Sequence, residues 1–477
     1  MRARLILGAA ALAAFGASLG SGFHFDDYAI FGDRFLTSSN GWLEVWSLRQ
    51  TRPLTYLTFW LNYQLGGTNP IGYHAVNLAL HLGAVLLAYE CLRRLVGERA
   101  ALVAAALFAV HPFQAEAVDY IWGRGIVLAT LLCLASLWSW LGGRYWEAVL
   151  WFLGAVLAKE EVAAFPLALL LLDRKHRGPI AAMVGVALAA GLRVIYATAV
   201  TPGAYAGFHA GVSPGRYLLA EGPVILRYLR LLVAPYGFTV DADARVPALG
   251  WGLAAWLLVA VLAAAAWRFR GKDGWGIWAL AGLLLLLPSS SIFPAADLSA
   301  DRRMYLPLLA FATAGGLLLA RVRWPAGARV AVVLAVVLAG LAMARTQVWM
   351  TEQALWSEAV RRAPEKLRPK IQLARAVPPG EALGLLAEAR KLAPNDPEVA
   401  TETGRVLMAE GQPAQALVEF GRALALDPHD ARNFNNRGVA LAGIGQTAAA
   451  RADFERALAL DPSLAEAREN LKRMEAR

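Results

Sequence analysis

Apolar stretches of about 20 residues recur from the N-terminus to residue 345, and most are long enough to cross a bilayer as a helix. Composition agrees: 58% of residues are hydrophobic and only 17% charged, where soluble domains carry roughly a quarter charged residues. A soluble enzyme, a disordered chain and a secreted disulfide scaffold are excluded. What remains is a polytopic, all-α membrane protein. Cys91 and Cys133 both fall inside apolar stretches and read as buried structural thiols, with no metal site or disulfide framework between them.

The net charge of +10 suggests a nucleic-acid surface until it is divided along the chain. From Gln347 to Arg477 there are 18 basic and 18 acidic residues, so the first 346 residues hold the whole excess. It sits in short loops between apolar stretches: Arg2 and Arg4; Arg93, Arg94 and Arg99; Arg174, Lys175 and Arg177; Arg268, Arg270 and Lys272; Arg321, Arg323 and Arg329. This is the positive-inside pattern, and no nucleic-acid partner is expected. It predicts about 11 spans, near 5–22, 71–92, 100–112, 120–141, 145–158, 162–172, 179–198, 250–267, 275–293, 304–320 and 328–345. The N-terminus is then inside, as an uncleaved anchor, and the C-terminus outside. Residues 216–235 carry Arg216, Glu221, Arg227 and Arg230, and counting them as a span would move Arg268 to the outer face; they read as an outer interfacial helix. Residues 53–66 are too short to span and also belong on the outer surface.

From residue 347 the chain changes character. Pro394, Pro428 and Pro462 are 34 residues apart, as are Gly404 and Gly438, Ala416 and Ala450, and Phe420 and Phe454. A period of this length marks a solenoid. Small residues sit where two helices cross, aromatics fill the gap beside them, and proline ends each unit. The pattern resembles the tetratricopeptide repeat: two full units, a degenerate one over about 366–394, and a capping helix over 464–477. The domains are therefore 1–346, membrane, and 347–477, repeats. In such arrays the first helix of each pair lines a concave face, which makes Asn433 and Asn436 candidates to hold an extended acceptor peptide; solvated asparagines are the other reading.

The chemistry-bearing residues gather on one membrane face of this topology. Asp26 and Asp27 are adjacent carboxylates just past the first span, beside Phe25 and Tyr28. They read either as solvated loop acids or as a general base or metal ligand; mutual repulsion raises one of the two pKa values, as suits a base. His74, Asn77 and His81 share one face of the second span. Seven residues between the histidines is two turns, about 10 Å, too far apart for a good metal pair, and hydrogen-bonded packing serves equally well. His111, Glu116, Asp119, Arg124, Lys159, Glu160, Asp301, Arg302, Arg303 and Tyr305 reach the same face. Carboxylates beside Arg and Lys at a membrane surface suit a lipid-linked phosphate substrate, since Arg binds phosphate bidentately and an acid deprotonates an acceptor hydroxyl.

Several pieces in a fixed order carry a family resemblance: Phe25-Asp26-Asp27, Arg52-Pro53-Leu54, Tyr73-His74 with Asn77 and His81, His111-Pro112 with Glu116-Ala117-Val118, Gly123-Arg124, Lys159-Glu160, Pro235 followed by Asp241, Asp301-Arg302 with Tyr305-Leu306-Pro307, and Trp349 with Leu355-Trp356. In these, and in its repeat tail, the chain resembles the transmembrane and tetratricopeptide-repeat O-mannosyltransferases, within the GT-C class of membrane glycosyltransferases. The resemblance spans nearly the whole chain. It implies a GT-C-like helix bundle and a metal-independent, cofactor-free, inverting transfer of mannose or another hexose. The donor would be a polyprenyl-phosphate sugar and the acceptor a Ser or Thr hydroxyl of an envelope or secreted protein. By the same resemblance Asp26 or Asp27 is the base, and Arg302, Lys159, Arg124 and Arg303 are donor-phosphate contacts. His74, His81, His111, Glu116, Glu160, Asp301 and Tyr305 would be polar groups of the substrate site. Two departures bear on the sugar and acceptor: Ile126 stands where the family has an acid, and the loop before residue 216 is short. A bacterial inner membrane is expected, with the repeats outside. The competing reading is a non-catalytic scaffold that gathers envelope proteins through its repeats.

Overall fold

The computed structural model describes residues 1–32, 34–201, 207, 211–271, 274–295 and 297–475. Its described residues are predominantly helical and separate into two compact units, Met1–Thr351 and Glu352–Arg477. The sequence pattern alone draws that boundary at 346/347. Lys272, assigned to an inner loop from its charge, lies outside the described residues.

Seven helices in the first unit are long and apolar enough to cross a membrane, or eight if Glu98–Val110 and Pro112–Val118, bent by 50°, form one broken span. The bend follows from Pro112, which stops the first helix at the preceding residue. The remaining apolar stretches are helices of 14, 8 and 12 residues, Tyr145–Ala158, Phe165–Leu172 and Trp275–Leu286. At 1.5 Å per residue even the longest reaches only about 21 Å, short of a hydrocarbon core of about 30 Å. Apolarity marked these segments correctly, but the count of 11 full spans is not reached.

Two rims close the bundle. At one, Arg4 pairs with Glu90 at 2.8 Å, Arg94 lies 3.5 Å over the Trp138 ring, and Trp140 Nε1 donates to Asp173 at 3.1 Å. These contacts gather the N-terminus and the basic loops near 93, 144 and 175 on one side. At the opposite rim lie Asp26, Glu116, Lys159 and Arg302. Helix Pro214–Val233 is anchored at this second rim, through Tyr228 Oη to the Ala300 carbonyl at 2.9 Å and Arg227 to Asp301 at 2.6 Å. Pro53–Gly66 sits there too, Thr55 Oγ1 donating to the Ala158 carbonyl at 2.8 Å. Close helix approach depends on small residues: a Cβ on Gly316 would stand 2.5 Å from the Ala100 carbonyl oxygen.

The second unit is a run of antiparallel helix pairs: Leu367–Ala376 with Pro379–Leu392, Pro397–Ala409 with Pro413–Leu426, and Ala431–Gly443 with Thr447–Leu460, followed by Ala465–Glu475. Asp396 and Asp430 cap the first helices of the two full units, accepting from the N–H groups two and three residues on. The degenerate unit is short because its first helix has 10 residues where the full units have 13. The 34-residue pairing of glycine with an aromatic has a direct cause. A Cβ on Gly404 would meet the Phe420 ring at 2.6 Å, and one on Gly438 the Phe454 ring at 2.7 Å.

Candidate active site

The segment after the first span folds back as a small aromatic cap. Ile30, Phe35, Leu36 and Val45 pack with Phe59, Tyr73 and Ile121, so the loop has a core of its own. Phe25 sits at its start with φ +44°, the one non-glycine residue with positive φ among the described residues. That backbone costs on the order of 1–3 kcal/mol and persists only where surrounding contacts hold it.

Asp27 is wholly buried. Its Oδ2 accepts from the His24 backbone N–H at 2.9 Å and its Oδ1 from that of Trp122 at 2.7 Å. Burial pushes its pKa up to about 7, although the two backbone N–H donors pull it down. Asp26 is half-buried, and its own backbone N–H donates to Tyr120 Oη at 3.2 Å. Tyr120 stacks on Trp349 with ring centroids 5.4 Å apart, and the Trp349 carbonyl accepts from Ser21 Oγ at 2.6 Å. Thr346 Oγ1 donates to Asp119 at 2.8 Å. The end of the last span thus holds the floor under the carboxylate pair.

Beside them lies a set of ion pairs. Glu116 takes Arg302 by both its side chain and its backbone N–H, the latter at 3.1 Å. Arg52 makes a two-pronged pair with Glu160, at 3.0 and 2.6 Å, and Lys159 lies 3.2 Å from Glu161. Burial alone would raise Glu160, but Arg52 overcomes it and holds the carboxyl at about 2; burial pulls Lys159 down to about 8. Arg303 donates to the carbonyls of Leu298 and Asp297 at 3.1 and 2.6 Å and faces the buried Glu221 at 3.7 Å. Electrostatic coupling links the groups into one cluster, since Arg302 acts on Tyr120 and Lys159, and Arg303 on Glu161.

The structure brings Asp26, Asp27, Glu116, Lys159, Glu160, Asp301, Arg302 and Arg303 to one rim, but separates them by accessibility. The Arg302 side chain is 21% exposed, against 4% for Lys159 and 6% for Arg303. Arg124 is held inside the bundle. Fully buried, its three nitrogens donate to Asn77 at 2.7 Å, Asn62 at 2.6 Å and the Tyr73 carbonyl at 2.9 Å, so it ties three helices together. The histidines are also hydrogen-bonded within the protein. His81 Nε2 lies 3.1 Å from the Ala109 carbonyl, which leaves Nδ1 to accept from Tyr305 Oη at 2.7 Å. His111 Nδ1 accepts from the Phe113 N–H at 3.2 Å, and His74 Nε2 meets the Gly22 carbonyl at 3.1 Å. No group of metal-ligand residues occurs among the described residues. In the repeats Asn433 is buried, bonded to Thr401 and Asp430 at 2.9 and 2.8 Å, while Asn436 is half-buried.

Sequence reasoning missed Glu161, Tyr120, and the pairing of Arg227 with Asp301. Glu161 was legible as the third charge in Lys159-Glu160-Glu161; the pairing was not, its partners being 74 residues apart.

Fold and site define a polytopic membrane protein with a carboxylate and guanidinium cluster at one rim of its first unit and a helical-repeat array as its second unit. Curated relatives give this class a more particular character. The chain is 27% identical to the nematode Caenorhabditis elegans "Protein O-mannosyl-transferase F38B6.6", over 73% of this chain and 53% of the relative. It is 33% identical to human "Protein O-mannosyl-transferase TMTC4", over 33% of this chain and 27% of that protein. Human "Protein O-mannosyl-transferase TMTC1" is 47% identical over 21% of this chain and 12% of its own length. The relatives are thus the transmembrane and tetratricopeptide-repeat O-mannosyl-transferases that the motifs resemble, and the chain spans about half the length, or less, of those it matches. No protein-family profile matches it. Among solved structures, the tetratricopeptide-repeat protein YrrB covers 32% of the chain and 87% of itself at 24% identity, with a TM-score of 0.25; the repeat assignment above stands on the helix pairs themselves.

Proposed function

We propose that this chain is a membrane glycosyltransferase that moves mannose from a polyprenyl-phosphate donor to Ser or Thr hydroxyls of proteins, with inversion. The observation that supports this most is the division of labour between the two adjacent carboxylates. Asp27 is sealed and holds two backbone N–H groups. Asp26 is half-buried with its backbone N–H on Tyr120 Oη, and Tyr120 is within electrostatic reach of the partly exposed Arg302.

In this reading Asp26 is the general base. It takes the proton of the acceptor hydroxyl as the oxygen attacks C1 of the sugar. The bond from C1 to the phosphate oxygen breaks, and the polyprenyl phosphate leaves as an anion that needs no protonation. Arg302 and Lys159 stabilise that anion. Arg303 and Arg124, held by protein acceptors, position the rim. The lipid end of the donor belongs in the bilayer beside the spans, and the repeats hold the acceptor protein. We place the chain in a bacterial inner membrane, with the Asp26 rim on the side away from the basic loops.

The test is transfer of mannose from a polyprenyl-phosphate donor to an acceptor protein by purified chain. Asp26→Asn should lower turnover by at least ~100-fold with donor binding kept. Full activity in both Asp26→Asn and Asp27→Asn would overturn the carboxylate mechanism.

A further inference from the structure

The rim opposite Asp26 carries a feature that glycosyl transfer does not use. Four helices leave a cleft of about 620 Å³ there, walled by Leu167, Leu171, Ile180, Leu284 and Trp267 and edged by Arg174 and Arg177. The gap has a simple origin. Two of its walls, Phe165–Leu172 and Trp275–Leu286, are helices of 8 and 12 residues. At 1.5 Å per residue they are only about 12 and 18 Å long, so they leave part of the bilayer depth unfilled.

Among the described residues, no carboxylate forms an ion pair with Arg174 or Arg177 at its mouth. Arg174 and Arg177 are exposed, and the one side-chain bond between them runs from Arg177 Nε to the Arg174 carbonyl at 3.3 Å. The nearby carboxylate, Asp173, is already bonded to His176, to Trp140 Nε1 and to the Lys175 N–H, at 2.8, 3.1 and 2.8 Å. A third cation approaches from the far wall, where Arg270 lies 4.0 Å over the Trp267 ring.

We propose that this cleft is a binding site for an anionic phospholipid of the leaflet that faces the basic loops. One acyl chain fills the space between the short helices, and the phosphate sits between Arg174 and Arg177. The apolar depth calls for a chain and the unneutralised edge for an anion, and a phospholipid joins the two. Basic pockets between membrane helices on the positive-inside face select such headgroups.

The full chain, purified in detergent, is titrated with phosphatidylglycerol, with phosphatidylcholine and with inorganic phosphate, and bound lipid is counted by native mass spectrometry. Phosphatidylglycerol should bind in preference to phosphatidylcholine, and phosphate alone should not compete. Arg174→Gln with Arg177→Gln should weaken the preferred site about 30-fold, as expected for two cationic contacts at an anionic surface. Ala181→Phe, which fills the cleft, should displace the lipid with both arginines intact. Arg93→Gln with Arg94→Gln, on the same rim but outside the cleft, should leave it bound. Unchanged binding in the Arg174 and Arg177 variant would overturn the site, as would an equal loss in the Arg93 and Arg94 control or competition by free phosphate.

Discussion

Replacing Asp27 by Asn tests whether the buried carboxylate is held protonated by its surroundings. Asp27 accepts two backbone N–H groups in a wholly buried place. Asparagine keeps one acceptor and turns its NH2 toward the other donor, which leaves a buried N–H without a partner at a cost of about 1–3 kcal/mol. A second effect depends on pH. The pKa of Asp27 rises from 3.8 to about 7 on burial, so the folded state holds the proton more tightly than the unfolded. Stability from this group is fully present below about pH 4 and is lost as pH rises to about 7. From pH 5 to pH 7.5 the native protein should lose about 2–3 kcal/mol through Asp27, at about 1.36 kcal/mol per pH unit; the Asn variant loses none of it. The substitution should therefore cost about 2 kcal/mol at pH 5 and be close to neutral at pH 7.5. Denaturant unfolding of both proteins in detergent, followed by helicity at the two pH values, reads this difference. An equal cost at both values, or a larger one at pH 7.5, would mean that Asp27 is ionised throughout, and would refute the assignment of Asp27 as the sealed member of the pair.

Removing Glu116 as Ala should cost about 1–3 kcal/mol, because Arg302 loses the acceptor of its side chain and backbone N–H but stays partly exposed and 3.7 Å from Asp297; a double-mutant cycle with Arg302→Ala should show coupling, and additive effects would deny the pair any role. Gly438→Ala should destabilise the repeat array by about 1–3 kcal/mol, since its Cβ would stand 2.7 Å from the Phe454 ring; Phe454→Leu in the same chain should restore most of the melting temperature. Deleting 352–477 should spare donor-lipid binding and abolish transfer to protein acceptors; transfer at the full rate would assign the repeats another task.

What the sequence determined by itself was whatever depends on neighbours along the chain. Apolar stretches placed the membrane helices, the 34-residue period placed the paired helices of the repeats, and basic loops separated one rim from the other. Helix start and stop, repeat period and loop charge are local quantities, so they survive without any knowledge of packing. The number of full spans was not legible in the same way. Phe165–Leu172 and Trp275–Leu286 are as apolar as true spans, and only their observed lengths of 8 and 12 residues show that they stop short. The tertiary structure also decided which charges meet. Arg302 and Glu116 are 186 residues apart and Arg52 and Glu160 are 108 apart, and no periodicity joins them. It decided the fate of three residues that composition treats alike: Arg124 is enclosed by protein acceptors, Asp27 is sealed by two N–H groups, and Asp26, one residue earlier, is left half-buried at the rim. The physical reason is the same in each case. A carboxylate or guanidinium has its reactivity set by burial and by the partners around it, and both are assembled by parts of the chain that meet only in three dimensions.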